Sequence, residues 1–137
     1  MLNKNVLMIG DVVWCSLNGD DKNHIQNGVR PCVIIQNNKG NRFSPTIQVV
    51  PLTSRTNKAN LPTHVRIPSK TAGLSKDSIA QCEGARPVSK RDILGYIGSM
   101  PESYMNDIGI ALMVNTPLIQ YMSFESLTTV YNNLKVS

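Results

Sequence analysis

Apolar positions along the first hundred residues come in short bursts separated by polar, glycine- and proline-bearing gaps, the spacing of strands rather than helices. The runs fall at residues 11–17 (DVVWCSL), 29–36 (VRPCVIIQ), 46–54 (TIQVVPLTS), 63–68 (THVRIP), 78–88 (SIAQCEGARPV) and 94–99 (LGYIGS). The gap at 37–45 (NNKGNRFSP) has turn chemistry, with Asn, Gly and Pro together. The fifth run is expected to bend at Gly84. Beyond residue 99 the period changes. Tyr104, Ile108, Ala111 and Leu112 recur at helical spacing, and Asn115-Thr116-Pro117 ends the pattern. Ser99 and Glu102 read as a capping box, with Pro101 in the first turn. A second helix is expected over 123–135, with Leu127, Val130, Tyr131 and Leu134 on one side.

Five or six short strands followed by one or two helices predict a small, mostly-β barrel or rolled sheet with C-terminal α-helices. Pro31 and Pro51 have no N–H for a ladder, so each is expected at an edge or a bulge. If Asn37 opposes Thr46 across the 37–45 turn, the same antiparallel register sets Arg30 opposite Thr53. Directly opposed residues point to the same face.

Composition narrows the class. The chain has 137 residues, 41% of them hydrophobic, and a formal charge of +5. That suits one domain with its own core. No run reaches the length of a membrane span, and the start lacks a signal-peptide pattern, so a cytoplasmic location with no membrane partner is expected. Residues 1–100 hold 13 Lys/Arg against 6 Asp/Glu, whereas residues 101–137 hold one against three. The basic part is where a polyanion would be drawn. Cys15, Cys32 and Cys82 show no metal-ligand spacing and read as small buried apolar residues.

An arginine beside a threonine suits phosphoryl chemistry on RNA. The guanidinium forks onto two phosphate oxygens and keeps its charge. The hydroxyl holds or relays a proton, and RNA brings its own nucleophile, the 2′-OH. That chemistry needs no metal and no cofactor. By spacing alone, Arg30 reads first as a surface salt bridge or a barrel-end hydrogen bond, and Thr53 as an ordinary strand residue.

The segments GDVVWCSL, GVRPCVIIQN, GNRFSPTIQVVPLTS and KANLPTHV, with a looser match at DSIAQCEGARPVSKRDI, resemble the MazF/PemK family of bacterial toxin–antitoxin ribonucleases over roughly residues 9–115. The resemblance implies an SH3-like barrel over about 9–99, a helix over about 100–115, an added segment at 118–137, and a single toxin domain throughout. It implies a cytoplasmic homodimer, silenced by a cognate antitoxin, that cuts single-stranded RNA, chiefly mRNA, sequence-specifically and without metal. The expected ends are a 2′,3′-cyclic phosphate and a 5′-hydroxyl. The family's catalytic Arg falls on Arg30 and its catalytic Thr on Thr53. Its base-reading loops fall on residues 18–27 and 55–61, which makes Gln26, Asn27, Ser54, Arg55 and Lys58 candidate RNA contacts. His64 and Glu83 are further candidates on neighbouring strands.

Other readings stand beside this one. His64 with His24 is a rival acid–base pair. Glu83 either lines the groove or pairs with Arg86. Asp20 and Asp21 sit in the loop before GVRP, where a phosphate surface would not want them. The 118–137 segment can pack on the barrel, extend a dimer contact or stay disordered, and its apolar stripe favours packing. At the level of function, a non-enzymatic toxin of the same barrel class that binds DNA gyrase, or a nucleic-acid-binding module without catalysis, are the alternatives.

Overall fold

The computed structural model describes residues 4–17, 28–57 and 59–135. Seven strands form the body: β1 (Asp11–Leu17), β2 (Gly28–Ile34), β3 (Thr46–Thr53), β4 (His64–Ile67), β5 (Ser78–Gln81), β6 (Arg86–Ser89) and β7 (Ile93–Ser99). Three helices accompany them: α1 (Asn38–Phe43), α2 (Glu102–Asn115) and α3 (Phe124–Leu134). The ladder runs β4-β5-β3-β2-β1-β7, with β6 also on β3, and its observed pairs are antiparallel. Among the described residues no helix is long and apolar enough to cross a membrane.

The β2–β3 register is the one expected: Cys32 opposes Pro51, Val33 opposes Val50 and Ile34 opposes Val49. The connection is not a turn, however. Asn37 caps a six-residue helix by accepting a hydrogen bond from the Gly40 N–H at 2.8 Å. Buried Asn41 donates from Nδ2 to the Gln36 carbonyl at 2.8 Å. Asn and Gly suit a turn, yet the same chemistry caps a helix once the side chain reaches a free N–H.

Both prolines lie where a ladder stops. Pro31 pairs with Trp14 on β1 and sits just before the first β2–β3 pair. Pro51 lies where the partner of β3 changes. The predicted fifth strand is really two, β6 on residues 46–49 and β5 on residues 52–53, split by a 3-10 turn at Cys82–Gly84. The register steps by three there, the length of the turn. Gly84 lets it lie on the Pro51 ring, for a Cβ would come 3.1 Å from Pro51 Cγ.

Alternation sorts the apolar residues into two clusters. Val12, Val33, Val50, Leu52, Val65, Ile67 and Ala80 face α2, which contributes Ile108 and Ala111. Val13, Cys15, Cys32, Ile34, Ile47, Val49, Val88 and Ile93 form the other cluster. The helical spacing of Tyr104, Ile108, Ala111 and Leu112 therefore marks the packed face of α2. Its capping box does not form. Ser99 is still in β7, where Oγ donates to Asp11 at 3.4 Å and bonds the Tyr96 hydroxyl at 2.9 Å. Pro101 caps α2 from outside, without a side-chain bond.

The sheet is mostly β and rolled, but its ladder does not close on itself: β4 and β7 end the path. A loop packs against β7 beside this opening. Lys70, Ala72 and Gly73 all have positive φ, and the Ala72–Gly73 backbone lies directly on Ile97–Gly98. A Cβ at Gly73 would stand 2.5 Å from the Ile97 carbonyl oxygen, and one at Gly98 would overlap the Ala72 carbonyl. Only glycine permits that approach. Packing of the C-terminal stripe on the barrel is not observed. Along α3, Val130, Tyr131 and Leu134 are exposed, as is Phe124 at 86%. The stripe is amphipathic, but no described element covers it.

All three cysteines are free and buried. A hydrogen bond with the Cys15 thiol, together with burial, pushes the Cys32 thiol far up, against the opposing pull of the Arg86 and Arg30 guanidiniums. Burial and the nearby Glu83 carboxylate push Cys82 up to about 12.

Two outcomes follow. Gly98→Ala lowers stability by about 2 kcal/mol, read from the urea midpoint, while Gly109→Ala in α2, where a Cβ meets open space, leaves it equal or higher. Unfolded thiols ionise from about pH 9, whereas folded Cys32 and Cys82 hold their protons. The unfolded chain then binds fewer protons, so stability is full below pH 9 and falls above it. Urea midpoints measured between pH 7 and pH 10 test this.

Candidate functional site

The site grows from the ends of β2 and β3. Arg30 opposes Cys15 on β1, and the β2–β3 register carried two residues past its last bonded pair sets it opposite Thr53. Thr53 opposes Ile79 on β5, which opposes Arg66 on β4. Arg30, Thr53 and Arg66 thus belong to one row across the sheet. His64 opposes Gln81 one row away. All alternate to the face that α2 does not cover. Arg86, opposite Val49, belongs to this face too.

Arg30 is half-buried and Thr53 only 3% exposed. The Thr53 Oγ1 accepts from the Arg55 N–H at 3.2 Å, which orients the hydroxyl at the strand end. Both residues border a cleft of about 320 Å3. Its lining residues include Arg30 and Lys76, then Thr53, Ser54, Ser75 and Ser78, and the half-exposed Trp14. Among the described residues no acidic residue lines it. A lining with two cationic and four hydroxyl-bearing residues and no acidic one favours a phosphodiester over a cation.

The other expected contacts distribute differently. Ser54 lines the cleft, whereas Arg55 is exposed outside its lining. His64 and Glu83 come together, but not at the cleft. His64 Nε2 and Glu83 Oε2 are 2.8 Å apart, and the Thr63 hydroxyl donates to Glu83 Oε1 at 3.1 Å. This unit ties β4 to the 3-10 turn. Gln26, Asn27 and Lys58, and His24 of the rival pair, lie outside the described residues. Among the described residues no three His, Cys, Asp or Glu side chains gather as metal ligands would.

Sequence reading missed Lys76, Ser75 and Arg66. Lys76 sits in GLSKDS, which reads as a solvated turn and joins the cleft only because its loop folds onto β7. Arg66 donates from Nε to Asn60 Oδ1 at 2.7 Å and from Nη1 to the Thr56 carbonyl at 3.1 Å, holding the loop after β3 in place. Its place in the Arg30–Thr53 row was readable only after β5 had been paired.

Comparison with known proteins agrees with the fold. The family model for the PemK-like, MazF-like toxin of type II toxin–antitoxin systems matches residues 9–115. Endoribonuclease EndoA of Bacillus subtilis (strain 168) is 40% identical over 96 residues, 70% of this chain and 83% of that protein. Among solved structures, an endoribonuclease in complex with its cognate antitoxin from a mycobacterial species superposes with a TM-score of 0.67 at 25% identity, covering 82% of this chain and 97% of that one. MazF from Deinococcus radiodurans shares the fold, with a TM-score of 0.67 at 22% identity over 81% of this chain and 96% of that one. The match extends over β2 and β3 and through α2; the chain belongs to the PemK-like, MazF-like toxin family of type II toxin–antitoxin systems.

Proposed function

We propose that this protein is a cytoplasmic endoribonuclease toxin that cuts single-stranded RNA, chiefly mRNA, at chosen sequences and without a metal. The observation that carries this reading is the placing of Arg30 and Thr53 in one row, at the rim of a cleft lined by cationic and hydroxyl-bearing residues. The 40% identical relative named an endoribonuclease favours RNA over gyrase as target.

In this reaction the ribose 2′-oxygen attacks the adjacent phosphorus, and the bond from phosphorus to the 5′-oxygen breaks. The 2′-OH proton leaves, and the departing 5′-oxygen gains one. The products are a 2′,3′-cyclic phosphate and a 5′-hydroxyl. Arg30 places a fixed positive charge against the phosphate oxygens as negative charge builds on them. The Thr53 hydroxyl, oriented by the Arg55 N–H, holds the reacting group and passes its proton. Lys76 adds a second cation for the neighbouring phosphate. Loops 18–27 and 55–61, through Gln26, Asn27, Ser54, Arg55 and Lys58, meet the flanking nucleotides. The His64–Glu83 pair supports that surface by fixing β4 against the 3-10 turn. A homodimer would set two such rims on one particle, and a cognate antitoxin would silence them by covering the clefts.

Arg30→Ala is expected to lower cleavage of a single-stranded RNA by at least about a hundredfold, and Thr53→Val by a smaller factor, with both variants folded by circular dichroism. The wild type keeps its rate in excess EDTA. Undiminished cutting by Arg30→Ala would remove the guanidinium from the mechanism. A Lys76→Ala variant should mainly weaken RNA binding and flatten its salt dependence by about one phosphate contact, measured by fluorescence anisotropy at several ionic strengths.

A further inference from the structure

A second cleft adjoins the first. Its volume is about 280 Å3, and Ser78 lines both. Its apolar surfaces are Ile67, Pro68 and the half-buried ring of Tyr104 on α2. Thr56 and Arg66, whose Nη1 donates to the Thr56 carbonyl, also line it. Its single carboxylate is Asp77. Its Oδ1 accepts from the Ser69 N–H at 2.7 Å, which fixes the group. No described residue donates to its Oδ2.

An aromatic and aliphatic lining with one fixed carboxylate matches a flat ligand whose edge carries hydrogen-bond donors. A phosphate is better served by the first cleft, which has two cationic residues and no carboxylate, than by this one, where Asp77 offsets Arg66. A nucleobase splayed from single-stranded RNA is the right shape, stacking one face on an aromatic ring and offering its edge. An ionised carboxylate only accepts. Guanine presents N1–H and N2–H2 side by side, one for each oxygen. Adenine and cytosine present one amino group. Uracil presents one N–H between two carbonyls, and those carbonyls face the carboxylate unfavourably.

We propose that this cleft is a nucleobase subsite next to the scissile phosphate, taking guanine through Asp77 and Tyr104 and rejecting uracil. The inference rests on the ribonuclease reading above. It concerns the neighbouring base, which Arg30 and Thr53 do not read. Thr56 and Arg66 shape the lining, and Asp77 makes the choice.

The test sequences the 5′-hydroxyl ends left by the full-length protein on an RNA pool randomised around the cut. The wild type is expected to show one position near the cut where guanine is enriched over uracil by roughly tenfold, the size of one good bidentate contact. Asp77→Asn keeps an oxygen for the Ser69 N–H but adds a donor that uracil can use. In that variant the guanine-to-uracil ratio at this position falls to within about twofold, while preferences elsewhere hold. Tyr104→Leu raises KM on a short guanine-bearing RNA about tenfold with kcat little changed, as loss of one stacking surface predicts. An Asp77→Asn cleavage profile that superposes on the wild type overturns the proposal. If the wild type cuts no RNA at all, the ribonuclease reading fails separately. Titration with guanosine monophosphate, followed through the Tyr104 ring resonances, then decides the cleft: saturable binding lost in Asp77→Asn sustains it, and no binding ends it.

Discussion

The fold and its site depend on one constraint, the antiparallel register of β2 against β3. Val33 and Val50 face the α2 side, while Ile34 and Val49 face the other, and all four are fully buried. A slip of one residue would turn each to the opposite face. The same slip would separate Arg30 from Thr53. The apolar alternation in the middle of the hairpin therefore also aligns the polar pair at its end. The polar pair does not have to stabilise its own geometry, and its residues are available for charge and proton placement.

The division of the sheet into two faces explains how a basic rim survives beside a tight core. On one face α2 covers the strands, and Ile108 and Ala111 are buried there. On the other, the first half of β3 is enclosed with β6 and β7, and the second half opens toward Arg30 and Thr53. The break lies at Pro51 and Gly84, where the partner strand gives way to a 3-10 turn and the register steps. That irregularity lets one strand be core at its start and rim at its end. It also brings Glu83 to His64, so that charged groups near the opening are paired away from the cleft rather than left to oppose a polyanion.

Much of this was legible in the chain. The alternation in 29–36 and 46–54 set the register, and the pairing of Arg30 with Thr53 followed from it. The period of Tyr104, Ile108, Ala111 and Leu112 marked the buried face of α2. Local chemistry misled where one residue type serves two structures. Asn37 and Gly40 suit a turn as well as a helix cap, and they made α1. Ser99 suits a helix cap but stays in β7 beside Asp11. The α3 stripe has the spacing of a packed helix, but spacing cannot say what it packs against. Lys76 and Asp77 were invisible, and Tyr104 was legible only as part of the packed helix face, because the clefts they line form only when a loop and a distant helix are brought to the strand ends.

The loop over residues 70–76 carries a consequence of its own. Its backbone is pressed onto β7 at Gly73 and Gly98, and its next residues, Leu74, Ser75 and Lys76, line the cleft that Arg30 and Thr53 border. Docking of this loop on β7 and completion of the cleft lining are consequently a single act. A newly made chain with every strand paired but this segment still undocked holds Arg30 and Thr53 over an incomplete groove. Until that segment is seated, the groove lacks Leu74, Ser75 and Lys76.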